Sequence, residues 1–292
     1  MSTDDRVAGD LPARPTAAAE PSALRGRLGD RLIGVVLFVG LLALVEIVVR
    51  VFGVANYILP APSEVLYALY AGFARSPFSP AAYYMHIAIT GGEALTAFAI
   101  GSVIGIAAGA LVVQFPLFRR LVLPYFIGLQ SVPKVALAPL FVVWFGLGMS
   151  SKIVLGVLLT FFPLMINTAA GLASVERERL ELMASLKAGA WKTFRLVTLP
   201  SALPFIFAGL EMAAAYAVLG AVVGEFVGGN GGLGVLILNR NAALDIAGSL
   251  ASLVILAVMG IAMQRAVAFV RARVLFWAPS QDALRLDRGE GV

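Results

Sequence analysis

The residue types that most enzymes use for covalent or metal chemistry are nearly missing from this chain. It has no cysteine and one histidine, His86. Thiol nucleophiles, cysteine-ligated zinc and disulfides are therefore excluded, and His-based catalysis has little to work with. No GxxxxGK[ST] stretch occurs, so the chain is not expected to bind ATP itself. The nearest glycine cluster, GGNGGLG from Gly228, lacks the Lys-Ser/Thr that completes a phosphate cradle. It reads as a flexible outer loop facing a soluble partner, or as a plain turn. What remains is a set of polar groups inside apolar stretches: Glu93, Gln130, Lys134, Asn167, Glu211 and Glu225. A lysine at membrane depth is costly and is by default a functional hypothesis. Lys134, with Gln130 four residues ahead, is thus a candidate lining of a solute pathway; the competing reading is that it snorkels or pairs with a carboxylate such as Glu225. Glu93, Asn167, Glu211 and Glu225 read first as interhelical hydrogen-bond partners, and Asn167 and Glu225 also as candidate pathway residues. His86 reads as an interfacial polar residue.

The elements that must position these groups follow from composition. The 292 residues are 60% hydrophobic and 13% charged, against about 45–50% and about 25% in ordinary soluble domains, and the mean hydropathy is +0.92. This favours an all-α, polytopic membrane protein. About 20 apolar residues cross the hydrocarbon core as a helix, and six spans meet that length: Leu32–Phe52, then runs within Tyr84–Val113 and Leu121–Phe145, then Ile153–Leu172, Ala202–Val227 and Ile246–Val270. Glu46 and Arg50 in the first span are spaced to pair. Gly101, Gly105 and Gly109 in the second make a small-residue stripe for close helix approach. The third is interrupted by Pro124, Pro133 and Pro139 and should kink or break. A shorter segment after Pro60 and Pro62 is expected to lie on the membrane surface, with Ser63 as its cap. Residues 1–30 read as a disordered cytoplasmic tail, 31–272 as the six-span transmembrane domain and 273–292 as a second cytoplasmic tail.

Orientation follows from Lys and Arg. Arg25, Arg27, Arg31, Arg119, Arg120, Arg177, Arg179, Lys187, Lys192, Arg195, Arg271 and Arg273 fall on one side of a six-span arrangement, and Arg75, Lys152 and Arg240 on the other. Both termini are therefore expected in the cytoplasm. The net charge of +5 is read as this topology signal, with no nucleic-acid partner.

The most informative stretch is the polar loop of residues 173–199. Glu176, Glu178 and Glu181 suit the first turns of a helix, Gly189 permits a bend, and a second short helix is expected from Trp191 to Val197. Leu182, Met183, Leu186 and Trp191 would give this hairpin an exposed apolar face. It is either a connector resting on headgroups or a docking element for a soluble partner. Ala184 and Ala188, one turn apart, would allow close approach.

The stretch resembles the EAA loop of ABC importer permeases: Glu-Ala-Ala, three residues, Gly, nine residues, Ile-x-Leu-Pro. Glu181-Leu182-Met183 occupies the opening, Lys187 stands where the glycine is expected, and Val197-Thr198-Leu199-Pro200 closes it. Gly189 is a candidate to supply the bend instead. YILPAPSEV from Tyr57, QSVPKVALAPLFVVWFGLGMSSK from Gln130, FFPLMINTAAG from Phe161 and GEFVGGNGGLG from Gly224 resemble the nitrate/sulfonate/taurine-type permeases, a group that includes importers of thiamine-pyrimidine precursors, riboflavin and aromatic carboxylates. The resemblance implies a homodimeric core in the lipids of a bacterial inner membrane, separate ATPase subunits that use the ATP, an extracytoplasmic binding protein, and no cofactor in this chain. It places ATPase coupling at Glu181, Leu182, Met183, Ala184, Lys187, Ala188, Gly189, Leu199 and Pro200. The competing class is an ion-gradient-driven transporter or channel, which predicts coupling carboxylates and an internal repeat; no convincing repeat is found. A membrane-embedded enzyme lacks the residue clusters it would need.

Overall fold

The computed structural model describes residues 22–76, 79 and 82–277, and among them every regular element is helical. The chain divides into two compact units, residues 1–53 and 54–292. The first holds α1 (Ser22–Val51). Its helix begins inside the segment expected as a tail, and residues 1–21 of that segment lie outside the described residues. Arg50 pairs with Glu46 at 2.6 Å, one turn away, as their spacing requires.

The second unit opens with α2 (Pro62–Phe73). Its cap is not Ser63. The Glu64 carboxylate accepts from the Ala61 backbone N–H at 3.2 Å and from Asn56 Nδ2 at 2.8 Å, and Pro62 takes the first helical position, where a missing N–H costs nothing. Then follow α3 (Tyr83–Gln114), α4 (Pro116–Gln130), a 3₁₀ turn (Lys134–Leu137) and α5 (Ala138–Phe145). The axis turns by 87° between Pro124–Gln130 and Lys134–Phe145. The prolines explain the break: Pro133 has no N–H for the ladder, and its ring disfavours helical backbone at Val132. Next come α6 (Met149–Ala173), α7 (Arg177–Ser185), α8 (Ala190–Thr193), a π turn (Phe194–Thr198), α9 (Leu199–Gly228), α10 (Leu233–Ala242) and α11 (Ile246–Val274). Five helices are long and apolar enough to cross a membrane, and six spans result when the bent pair counts as one.

α3, α6 and α9 form the centre of the unit, and small residues bring them together. A Cβ added at Gly105 of α3 would stand 2.9 Å from the Phe161 carbonyl oxygen of α6, and one at Gly109 2.6 Å from that of Met165. The glycine stripe is thus a backbone-to-backbone contact. Further along α6, Gly156 lies between the two neighbours: a Cβ added to it would stand 2.5 Å from the Ala97 Cβ of α3, and one added at Gly220 of α9 would lie 2.5 Å from the Gly156 Cα. Leu155, Leu164 and Met165 fill the remaining space and are fully buried. α11 closes on α9 through a cluster that includes Val218, Val222, Ile255 and Leu256, and α10 adds Leu233, Leu236 and Ile237 to it.

Candidate functional site: a hairpin, a half-open cavity and a buried charge cluster

The polar hairpin is built at the base of the central helices. α7 ends in a pair of backbone bonds, Lys187 N–H to Ala184 O at 2.9 Å and Ala188 N–H to Met183 O at 3.0 Å. This is the pattern of a Schellman stop, which needs its first residue beyond the cap in the left-handed region. That residue is Lys187, with φ at +51°, while Gly189 is extended at φ −65° and ψ 158°. The bend therefore sits at the position where the EAA pattern has glycine, and Gly189 does not replace it. A side chain in this conformation is strained by about 1–2 kcal/mol, which gives the physical reason for a glycine in the pattern.

Two further expectations change. Met183 is not exposed: it turns inward and is 9% accessible, whereas Leu182, Leu186 and Trp191 are 60%, 68% and 72% accessible. The second helix is not a separate element. α8, the π turn and α9 run on as one helix from Ala190 to Gly228. Pro200 explains the π turn, since its ring would clash with the carbonyl four residues back. The wider turn shifts the bonding, and Leu199 N–H reaches Phe194 O. Leu199 packs with Leu172, Ala202 and Ile206, so the end of the EAA stretch is anchored in the bundle. Glu181 pairs with Arg177 at 2.9 Å on the exposed side. Ala184 is exposed, Ala188 is half-buried, and Trp191 stacks on Phe194 with 5.7 Å between ring centroids. Between α7 and the base of α9 lies a hollow of about 640 Å³ lined by Leu182, Met183, Val197, Pro200 and Trp277 among others.

Three of the four expected pathway residues come together. Gln130, Lys134 and Asn167 line a cavity of about 300 Å³ with Phe162, Met212 and Tyr216. Lys134 Nζ donates to the Gln130 carbonyl at 3.2 Å and lies 4.8 Å from the centre of the Phe162 ring. Asn167 Nδ2 donates to Pro163 O at 2.7 Å. A carbonyl can only accept, so this bond fixes the amide orientation and presents Oδ1 at the other end.

Glu225 is elsewhere and does not pair with Lys134. Its Oε1 accepts from Thr90 Oγ1 at 2.6 Å and its Oε2 from the Gly234 N–H at 2.5 Å. The Thr90 oxygen in turn accepts from the Leu233 N–H at 2.8 Å. Glu225 and Thr90 thus satisfy the open N–H groups that start α10, a favourable place for a carboxylate. The Gly228–Gly234 segment is the tight turn this requires. Gly232 has φ +109°, and the Glu225 carboxylate fills the space where its side chain would be. His86 joins the turn, with Nδ1 2.9 Å from Gly232 O.

Beside Glu225 lies a pair that spacing does not reveal. Lys152 Nζ bonds Glu93 Oε1 at 2.7 Å, with side chains 5% and 2% accessible. Glu93 follows Thr90, the partner of Glu225, by three residues on α3, one helical turn away. Lys152, counted from sequence as an outer loop charge, is therefore interior. Arg240 is also sequestered: it donates to Tyr83 Oη and to Gly248 O, each at 2.7 Å. Glu211 is an interhelical partner as expected, bound to Arg271 at 3.2 Å.

Apolar spanning helices around a buried charge cluster, a half-open cavity that holds Gln130, Lys134 and Asn167 among apolar side chains, and an exposed hairpin define a multi-pass membrane transport subunit. Residues 101–276 match the family described as binding-protein-dependent transport system inner membrane component. The formylaminopyrimidine transport permease protein ThiX of Halalkalibacterium halodurans is 33% identical, over 84% of this chain and 95% of its own. The riboflavin transport system permease protein RibX of Chloroflexus aurantiacus is 35% identical, over 65% and 69%. A putative aliphatic sulfonates transport permease protein SsuC of Bacillus subtilis is 28% identical, over 94% and 98%. Among solved structures, the inward-facing methionine ABC transporter MetNI shares the fold, with TM-score 0.53 and 20% identity, over 64% of this chain and 95% of that one. The chain belongs to the binding-protein-dependent transport system inner membrane component family. It is an ABC importer permease of the inner membrane, a transport protein and not an enzyme.

Proposed function

We propose that this permease takes a small solute from an extracytoplasmic binding protein and passes it between two copies of the chain, driven by ATP hydrolysis in separate ATPase subunits that grip the α7–α8 hairpin. The candidate solutes are those of the nitrate, sulfonate and taurine type, pyrimidines and aromatic acids. Both termini are cytoplasmic in this reading. Its support is that Lys152 and Arg240 are taken up inside the bundle, which leaves Arg75 as the exposed one of the three basic residues on the opposite side.

The observation that carries the reading is the hairpin. Leu182 and Leu186 at the end of α7 and Trp191 at the start of the long helix are exposed, while the hairpin's own hydrophobic anchor, Met183, is already buried. An apolar helix face flanked by charged residues suits a groove on a soluble partner. Alternation between inward- and outward-facing states would then follow from the pull on the hairpin, passed through the unbroken helix from Ala190 to Gly228.

Ala184→Glu tests this. Ala184 is exposed in the chain alone, so the substitution leaves the permease itself folded. At a packed docking surface it adds bulk and an unpaired charge, worth about 3–5 kcal/mol. The expected result is a monodisperse permease that no longer retains its ATPase in detergent. Retention of the ATPase with transport-coupled hydrolysis at the wild-type level would move the docking surface elsewhere.

A further inference from the structure

The hollow between α7 and the base of α9 gathers apolar surface that the described residues leave uncovered. Leu182, Leu196 and Trp277 border it and are 60%, 58% and 47% accessible, and half-buried Val197 and Pro200 lie between them. Its volume of about 640 Å³ has room for several side chains. Two charged residues of its rim are engaged with each other, Arg179 with Glu176 at 2.7 Å. Exposed apolar surface collected in one place marks a contact. Trp277 points to what makes it. The end of α11 is held at α9 by Arg271 on Glu211 at 3.2 Å, Leu275 is buried, and Trp277, the last described residue, stands in the lining itself. The chain therefore leaves the described structure inside the hollow. It continues with residues 278–292, APSQDALRLDRGEGV.

We infer that the hollow seats the chain's own C-terminal segment, with Leu284 and Leu286 entering beside Trp277. These are the first large apolar side chains after Trp277. Leu284 follows it by seven residues, a reach of at most about 25 Å, so the tether is short. Charge agrees in sign. Residues 174–201 carry five basic and three acidic side chains, whereas residues 278–292 carry three acidic ones, Asp282, Asp287 and Glu290, and two basic. A short tether also sets a local concentration on the order of millimolar, so a contact too weak to retain a free peptide retains this segment. Seated there, the segment covers the side of α7 that faces α9. Leu186 and Trp191 are not part of the hollow and stay free, and Leu182 is shared. The hairpin is then braced from behind by its own chain while its other side remains open to a soluble partner.

The cysteine-free chain makes the test direct. Ser201→Cys, a near-isosteric change, puts a thiol in the lining, and Ala184→Cys puts one on the hairpin outside the hollow. Maleimide labelling rates are measured on the intact complex in native membranes opened to the reagent. Three backgrounds are compared: the full chain, the chain stopped after Trp277, and the full chain with Leu284→Asp and Leu286→Asp. The last keeps the chain length, so a folding defect of the shortened chain does not decide the outcome. The expected result is that the thiol at 201 reacts several-fold faster in both altered backgrounds, while the thiol at 184 is unchanged. Mild oxidation of the Ser201→Cys, Leu284→Cys double variant should close a disulfide within one chain, seen at monomer mass. Equal rates at 201 in the full chain and the double aspartate variant would overturn the inference. So would a 201 thiol that stays protected without the segment, the sign of cover by lipid, the ATPase or another protein, and so would a disulfide joining two chains. Loss of the ATPase from Ala184→Glu reads a different surface, so failure here is distinct from failure of hairpin docking.

Discussion

Lys152→Met separates a buried ion pair from mere burial. Methionine keeps the length of the stem and its packing between α3 and α9 while removing the ammonium. What it leaves is Glu93, 2% accessible, with one carboxylate oxygen, Oε2, that already lacks a hydrogen-bond partner among the described residues. Removing one member of a buried pair typically costs about 3–5 kcal/mol. The reverse change, Glu93→Gln, is expected to cost less, about 1–3 kcal/mol, because the amide still offers Lys152 an oxygen acceptor. The double variant Lys152→Met, Glu93→Met replaces the pair by apolar side chains of similar length and should recover to within about 1–2 kcal/mol of the original. The cycle thus predicts strong non-additivity. At about 2–4 °C per kcal/mol for a chain of this size, the single lysine variant should melt on the order of 10 °C lower. The assay is heating in detergent followed by intrinsic fluorescence from Trp144, Trp191 and Trp277, with retained monodispersity as a second readout. A Lys152→Met protein that melts with the wild type, or a double variant worse than either single one, would refute the claim that this buried pair stabilises the contact of α3 with α6.

The bend of the hairpin gives a sharper local test. Gly189→Ala should be tolerated, because its backbone is ordinary and nothing lies within 4 Å of an added Cβ, and Lys187→Gly should not lower the melting temperature. Lys187→Val, β-branched at φ +51°, should cost about 1–2 kcal/mol; the opposite order of effects at 187 and 189 would return the bend to Gly189. For topology, single cysteines at Arg75 and Asn230 should react with an impermeant maleimide on intact cells, and those at Glu178 and Arg273 only after permeabilisation. Labelling at Glu178 from outside would invert the orientation.

Long apolar runs, the glycine stripe on α3 and the proline break after α4 were legible in the sequence because each depends on neighbours in the chain. Hydropathy summed over a span needs no partner, and a proline breaks its own helix. α10 was not legible. It has ten residues, too few to span, and it starts in a glycine-rich stretch that reads as loop. Its first N–H groups are satisfied by Thr90 and Glu225, and Thr90 lies 143 positions from Leu233. No local cap announces such a helix. The hairpin bend was misplaced for a related reason. Glycine is the default for left-handed backbone, but the two Schellman bonds from α7 impose that conformation on whichever residue follows the cap, and here it is Lys187.

The charges show the same limit at the level of function. Lys134 and Lys152 are the same residue type, and both border apolar runs. By spacing, Lys152 belonged to a loop and Lys134 to a span that Glu225 was a candidate to neutralise. The fold assigns them the other way round. α6 carries Lys152 inward at its first turn, where Glu93 of α3 meets it across a contact that the small residues Gly156, Gly220 and Gly224 make close enough. The break at Pro133 carries Lys134 out of the bundle to the cavity, where among the described residues it meets a carbonyl and a ring. A membrane protein can hold a lysine in either place, because cost depends on the partner and not on depth alone. In the proposed function the interior pair serves stability and the open lysine the pathway, and the two should then respond to substitution in different assays: melting for Lys152, and transport for Lys134.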